Sequence, residues 1–141
     1  MISALAIGIA CQNISSTSKT DSIATAQQNT ATQEEAARIS LADAKADFDA
    51  GKAIFVDSRP EDVYKTDHIK GAINVPLADA ETKYKNIPTD KKIIIYCSWP
   101  SEHTSASLVL KLKEKGITNA FALVGGTPAW REAGYPMEKA K

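Results

Sequence analysis

Short apolar runs alternate with amphipathic segments along most of the chain. The runs AIFVD (residues 53–57), GAINVP (71–76), KIIIYC (92–97) and AFALVGG (120–126) have the lengths and residue types of strands. Strands that are apolar on both faces are buried on both faces, which is typical of a parallel sheet covered by helices. The pattern therefore predicts an α/β fold with a central parallel β-sheet flanked by helices on both faces.

The segments between these runs carry helix signals. Ser40 and Asp43 form a capping pattern at the start of a segment that ends at Gly51. A longer helix with one apolar face is predicted over residues 104–116, where Gly116 ends it. Shorter helices are predicted within residues 58–65, 77–86 and 127–134.

Residues 12–37 have a different composition from the rest of the chain. They are rich in Ser, Thr, Gln, Asn and Ala, and they contain almost no large apolar side chains. Such a segment cannot bury enough apolar surface to offset the entropy of ordering it. We therefore expect a disordered polar linker at residues 12–37 and one folded domain at residues 38–141.

The first 11 residues, MISALAIGIAC, form an apolar stretch that is too short to span a bilayer as a helix. The stretch is typical of a signal peptide, and its ending GIAC resembles a bacterial lipobox, in which the cysteine becomes lipid-modified. This predicts an exported lipoprotein, anchored to a membrane through Cys11 and facing the periplasm or the cell exterior. An ordinary secretory signal and an apolar N-terminal helix remain as alternatives.

The net charge and the cysteine content limit the partners and the kinds of site that can be expected. Seventeen basic and seventeen acidic residues cancel, so nothing in the net charge indicates a nucleic-acid partner. The two cysteines, Cys11 and Cys97, lie in regions of different character, so no disulfide scaffold is expected. His68 and His103 do not form a familiar metal-binding spacing with either cysteine. We expect a monomer that is held together by packing and contains no metal site.

Cys97 lies where a strand ends and a helix is about to begin. In parallel α/β sheets, functional sites gather at the carboxyl ends of the strands. A helix N-terminus offers N–H groups and a positive dipole end, which stabilise anions such as a thiolate. Cys97 is therefore the candidate nucleophile, although a buried packing cysteine is the alternative. The candidate substrate-binding residues are those of the loop that follows it: Ser98, Trp99, Ser101, Glu102, His103, Thr104 and Ser105.

Three stretches together resemble the rhodanese family over residues 38–138. They are FVDSRPEDVYKTDHIKGAINVPL (55–77), IIIYC (93–97) with its loop and helix, and ALVGGTPAWREAGYPM (122–137). The resemblance implies the rhodanese fold and a Cys97 that carries sulfane sulfur as a persulfide. It implies transfer from a small-molecule donor such as thiosulfate to a thiophilic acceptor, without a metal or organic cofactor.

Some residues differ from the rhodanese pattern, and others are expected to have structural roles. The loop after Cys97 is longer than usual and offers His103, beside Glu102, as its only possible cation, which leaves the sulfur donor open. A binding or redox-sensing module without turnover is the alternative function. Phosphatases that resemble the rhodanese family carry Arg where this chain has His103, so phosphatase activity is a less favoured hypothesis. Structural roles are expected for three residues: Asp57 and Arg59 as an ion pair, and His68 as a hydrogen-bonded loop histidine.

Overall fold

The computed structural model of the chain describes residues 36–98 and 102–141. The predictions for Cys11, Trp99 and Ser101 lie outside the described residues. Five strands form one parallel sheet in the order β1-β6-β5-β2-β4, and β3 and β7 form a separate antiparallel pair. The strands are β1 (Arg38–Ile39), β2 (Ala53–Asp57), β3 (His68–Ile69), β4 (Ile73–Asn74), β5 (Lys92–Tyr96), β6 (Ala120–Leu123) and β7 (Met137–Glu138).

Five helices connect these strands. Ser40 caps the first helix as predicted, because its Oγ accepts the N–H of Asp43 at 3.1 Å. The helix predicted within residues 77–86 is broken into one short α-helix between two 3₁₀ turns, Leu77–Asp79 and Tyr84–Asn86. The helices are α1 (Leu41–Asp49), α2 (Glu61–Thr66), α3 (Ala80–Lys83), α4 (His103–Glu114) and α5 (Gly126–Glu132).

The sheet lies between two apolar layers. Ile93 and Ile95 of β5 belong to one buried cluster, and Ile94 and Tyr96 belong to the other. Burial of each isoleucine contributes about 1.5–3 kcal/mol of transfer free energy. This burial stabilises the position of β5, and Cys97 follows directly after that strand. The helices contribute Leu108 and Leu112 of α4 to the first cluster, and Ala44 of α1 and Trp130 of α5 to the second. The predicted α/β fold with helices on both faces is thus confirmed.

Two features at the ends of the domain differ from the sequence prediction. Ala36 is buried in the first cluster, and the carbonyl of Ala37 accepts the N–H of Ala122 at 2.8 Å. The folded part therefore includes Ala36, although the linker was expected to extend through residue 37. Strands β1, β3 and β7 were not predicted, because two-residue strands carry no periodic signal. Among the described residues, no helix is both long and apolar enough to cross a membrane.

The buried Tyr96 hydroxyl predicts a loss of stability in alkaline solution. Its oxygen accepts the N–H of Ile69 at 3.1 Å, and burial, with the nearby charge of Asp57, strongly raises the pKa of Tyr96. In the unfolded chain the same tyrosine ionises near its ordinary pKa of about 10. Its contribution is therefore fully present below about pH 10 and is lost as the pH rises further.

Denaturant unfolding measured from pH 8 to pH 11 should show this dependence. The free energy of unfolding should decrease above about pH 10, by up to about 1.4 kcal/mol per pH unit for each such group. Tyr96→Phe should lower stability at neutral pH, because it leaves the Ile69 N–H without its partner, but should make the alkaline slope shallower. Equal slopes in the two proteins would contradict this role of Tyr96.

Candidate active site

Cys97 follows β5 directly and lies against the first turn of α4. The residue is almost completely buried, with 1% of its surface exposed, and its Sγ is 3.7 Å from the Oγ of Ser105. The side chain lines a cavity of about 180 Å³. The described residues that share this cavity with Cys97 are Arg59, Pro60, Val63, Ser98 and Thr104. The structure thus places a thiol at the carboxyl end of a central strand, beside a helix N-terminus.

The Ser105 hydroxyl can serve either protonation state of the thiol. A serine hydroxyl has one donor and two acceptor positions. Its oxygen lies 3.0 Å from the carbonyl of Glu102, so it donates there when the Cys97 thiol donates to it. A thiolate has no proton to give, and rotation of the hydroxyl then lets Ser105 donate to Sγ. The stabilisation of a Cys97 thiolate by N–H groups at the helix N-terminus stays a prediction.

The turn between β6 and α5 holds the backbone of Cys97. The carbonyl of Cys97 accepts the N–H of Thr127 at 2.9 Å and the hydroxyl of Thr127 at 3.1 Å. Gly126 passes so close that a Cβ on it would lie 2.3 Å from the Cys97 carbonyl oxygen. Its φ of +54° is also a conformation that favours glycine. Contact with the Cys97 carbonyl is therefore a second reason, besides the backbone conformation, for a glycine at this position.

Glu102 lies at the end of the loop that follows Cys97, and it is not among the described lining residues of the Cys97 cavity. One carboxylate oxygen accepts the N–H of Gly125 at 2.9 Å, and the other lies 3.0 Å from Nε of Arg38. Its backbone has a φ of +58°, the only positive φ among the described residues other than glycine. The carboxylate of Glu102 is buried and bound to other parts of the domain, and the substrate-binding role predicted for Glu102 stays a prediction.

Arg59 belongs both to the framework and to the wall of the cavity. It makes a bidentate ion pair with the buried Asp57, at 2.6 Å between Nη2 and Oδ2 and 2.9 Å between Nε and Oδ1. Burial opposes the charged form, but the pair with Asp57 outweighs it and the pKa of Arg59 is raised. Nη1 lies 3.5 Å from the Oγ of Ser98, within the same cavity. A fixed positive charge therefore lies in the cavity wall, although the sequence had indicated only His103 as a cation.

Some of the remaining predicted residues line the Cys97 cavity, and others lie outside it. Ser98 and Thr104 line the cavity, whereas His103 is exposed at the first position of α4. His68 is buried outside the cavity, where Nδ1 lies 2.9 Å from the carbonyl of Tyr64 and Nε2 lies 3.3 Å from Glu138. The contacts of Asp57 and His68 are those of framework residues.

A family model described as the rhodanese-like domain matches residues 40–133. The chain belongs to the rhodanese-like domain family. A thiosulfate sulfurtransferase of Coxiella burnetii, GlpE, is 26% identical to this rhodanese-like domain over 87 residues, which are 62% of this chain and 78% of that protein. The solved rhodanese-like domain of the Alr3790 protein from Anabaena has the same fold, with a TM-score of 0.65 and 23% identity over 73% of this chain and 79% of that one.

Another relative is considerably longer than the matched region. The HTH-type transcriptional regulator Rv0324 of Mycobacterium tuberculosis is 31% identical over 91 residues, which cover 64% of this chain. The match spans 40% of the length of that regulator. The relatives of this chain therefore include proteins named as enzymes and proteins named for other functions.

The contacts of Glu102 predict that its charge supports the loop. Glu102→Gln keeps an oxygen for the Gly125 N–H but turns an amide donor toward Arg38, so stability should decrease by about 1–2 kcal/mol. The alkylation rate of Cys97 by iodoacetamide should also change, because the loop ends at Glu102. Arg38→Gln should have a similar effect, and the double variant should be less destabilised than the sum of the two. Strictly additive losses would contradict the coupling of Glu102 with Arg38.

Proposed function

We propose that this domain is a sulfurtransferase that carries sulfane sulfur as a persulfide on Cys97. The observation that carries the proposal is the position of Cys97 in the wall of a cavity that Arg59 and Thr104 also line, with the Ser105 hydroxyl 3.7 Å from Sγ. The guanidinium of Arg59 in the cavity wall would attract an anionic donor and stabilise the anionic persulfide. The Coxiella burnetii relative named a thiosulfate sulfurtransferase supports the same chemistry.

The reaction has two displacement steps at sulfur. In the first, the Cys97 thiolate attacks the outer sulfur of a donor such as thiosulfate. A bond forms between the two sulfur atoms, the bond from the outer sulfur to the sulfonate breaks, and sulfite leaves with the electron pair. In the second step, a thiophilic acceptor attacks the outer sulfur of the persulfide and releases the Cys97 thiolate. The covalent intermediate predicts ping-pong kinetics.

Turnover of thiosulfate and cyanide tests the proposal. Parallel initial-rate patterns are expected, and Cys97→Ser should reduce the rate to that of the uncatalysed reaction. Ser105→Ala should lower the rate about ten-fold or more, because it removes a hydrogen bond to a charged sulfur. Ser107→Ala is the matched control, since that hydroxyl donates to the His103 carbonyl on the same helix. Absence of turnover with thiosulfate and with polysulfide donors would favour a binding or redox-sensing module.

We also propose that the domain is tethered to a membrane through a lipid on Cys11. The support is the apolar segment that ends in GIAC and the polar segment that follows it. Cys11→Ala should move the full-length protein from the membrane fraction to the soluble fraction of the cell. Cys97→Ala should remain in the membrane fraction. Retention of Cys11→Ala in the membrane fraction would overturn the tether.

A further inference from the structure

A second and larger cavity adjoins the cavity of Cys97. It has a volume of about 410 Å³, compared with about 180 Å³ for the cysteine cavity. The two cavities share Pro60 and Thr104 as lining residues, so they are neighbours. Small-molecule sites usually have volumes of about 300–1,000 Å³. The cysteine cavity suffices for a small anion, whereas the larger one, here called the side groove, has room for an organic group.

The side groove has apolar walls and an acidic edge. Its apolar lining residues include Pro60, Pro76 and Leu77. Glu61 and Asp79 also line it, and the described residues of its lining include no lysine or arginine. This composition differs from that of the cysteine cavity, where Arg59 supplies a positive charge. The two cavities therefore favour different chemical groups.

The two carboxylates retain acceptor capacity for a ligand. Glu61 pairs with Lys65 at 2.7 Å and Asp79 pairs with Lys83 at 2.9 Å. A carboxylate has about four lone-pair positions, so a second ammonium group can bind beside the lysine. Because these groups are exposed, the attraction is modest and is screened by salt.

We propose that the side groove binds the organic part of the thiol that accepts sulfur from Cys97, an apolar carbon chain that ends in an ammonium group. The inference rests on the proposed persulfide function and specifies its acceptor. The carbon chain lies along Pro60 and Leu77, and the ammonium group lies at Glu61 and Asp79. The thiolate at the other end then reaches the outer sulfur of the persulfide past Thr104.

The transfer step balances without any further reactant. The acceptor thiolate attacks the outer sulfur of the Cys97 persulfide, and a bond forms between the acceptor sulfur and that atom. The bond from the outer sulfur to Sγ breaks, and its electron pair remains on Sγ as the thiolate. The acceptor leaves as a persulfide, and no electron acceptor is needed.

Acceptors of matched length test the charge preference. The protein is loaded with sulfur from a donor, and the rate of discharge is measured with aminohexanethiol, mercaptohexanoate, cysteamine and cyanide. Rates are expressed per thiolate. Aminohexanethiol should react about two- to five-fold faster than mercaptohexanoate at low salt, and the difference should shrink as salt is added. Aminohexanethiol should exceed cysteamine about ten-fold or more, because its additional methylene groups are buried in the side groove.

Two sets of variants locate the effect. Ala78 is exposed and lines the side groove, so Ala78→Phe should fill it and lower the ratio of the aminohexanethiol rate to the cyanide rate about ten-fold. Ala46→Phe is the matched control, because Ala46 is an exposed alanine of α1, and it should leave that ratio unchanged. Glu61→Gln with Asp79→Asn should abolish the preference for aminohexanethiol over mercaptohexanoate.

The cyanide measurement separates the failure of this inference from the failure of the proposed function. Discharge by cyanide together with equal rates for all three thiols, or no effect of Ala78→Phe on the ratio, would overturn the side groove as an acceptor site while leaving the persulfide in place. A protein that takes up no sulfur at all would overturn both.

Discussion

Replacing Gly126 by alanine should destabilise the domain by about 2–5 kcal/mol and should lower sulfur transfer. About 1–2 kcal/mol comes from the positive φ, which an alanine adopts reluctantly, and about 1–3 kcal/mol comes from steric overlap. The new Cβ would lie 2.3 Å from the carbonyl oxygen of Cys97, a backbone atom that has little room to move. For a domain of this size, the melting temperature should fall by more than about 8 °C.

The same substitution should displace the nucleophile. Thr127 holds the Cys97 carbonyl through two hydrogen bonds, so a shift of the turn moves the cysteine with it. A displacement of about 1 Å is expected to lower the transfer rate about a hundred-fold.

Gly134→Ala separates the two causes of the Gly126 effect. Gly134 has a φ of +71°, but a Cβ there would meet no atom within 4 Å. This control should therefore lose only the conformational part, about 1–2 kcal/mol, and should keep its transfer rate. Thermal denaturation and the thiosulfate assay measure both quantities. Similar losses of stability and rate in the two variants would contradict a specific contact between Gly126 and Cys97.

Replacing Asp57 by asparagine should destabilise the domain by about 3–5 kcal/mol, because the buried Arg59 charge loses its nearest carboxylate and keeps only the more distant Asp67, at 3.7 Å, as an ion-pair partner. Asp57 is completely buried and accepts the N–H, Nε and Nη2 of Arg59. An asparagine keeps the shape, but its amide hydrogens face the guanidinium as donor against donor. Urea denaturation measures the change in the free energy of unfolding.

A second substitution tests whether the unpaired charge is the cause. Adding Arg59→Leu to Asp57→Asn should restore part of the lost stability, since no unpaired charge then remains in the interior. Glu61→Gln is the surface control, because the pair of Glu61 with Lys65 is exposed, and it should change the urea midpoint little. A double variant that is less stable than Asp57→Asn would show that the loss arises from packing instead of charge.

The fold could largely be predicted because its signals are local. Ala53–Asp57 is the strand that AIFVD predicts, and the isoleucines of β5 are buried on both faces as the continuous apolar run requires. The pair β3 and β7 could not be predicted, because the paired residues of its two-residue strands lie 68 and 70 positions apart and are joined only through tertiary pairing.

The site could be predicted only where its residues are neighbours in sequence. The apolar run that ends at Cys97 predicts the place of this residue at a strand end. The helix predicted after Cys97 gives the position of Ser105 in its first turn. Glu102 contacts Arg38 across 64 positions and Gly125 across 23 positions, and no spacing rule gives such contacts. Arg59 was expected to have a structural role. Its additional place in the cavity wall depends on the pairing of β2 with β5, which the local sequence does not show.

The mass of the intact protein after reaction with a sulfur donor tests the persulfide most directly. The full chain has two cysteines, so the measurement uses a Cys11→Ser background in which Cys97 is the remaining thiol. Incubation with thiosulfate or polysulfide should add the mass of one sulfur atom, cyanide should remove it as thiocyanate, and Cys97→Ser should gain nothing. No gain with any donor, or an equal gain in Cys97→Ser, would contradict sulfur transfer through Cys97.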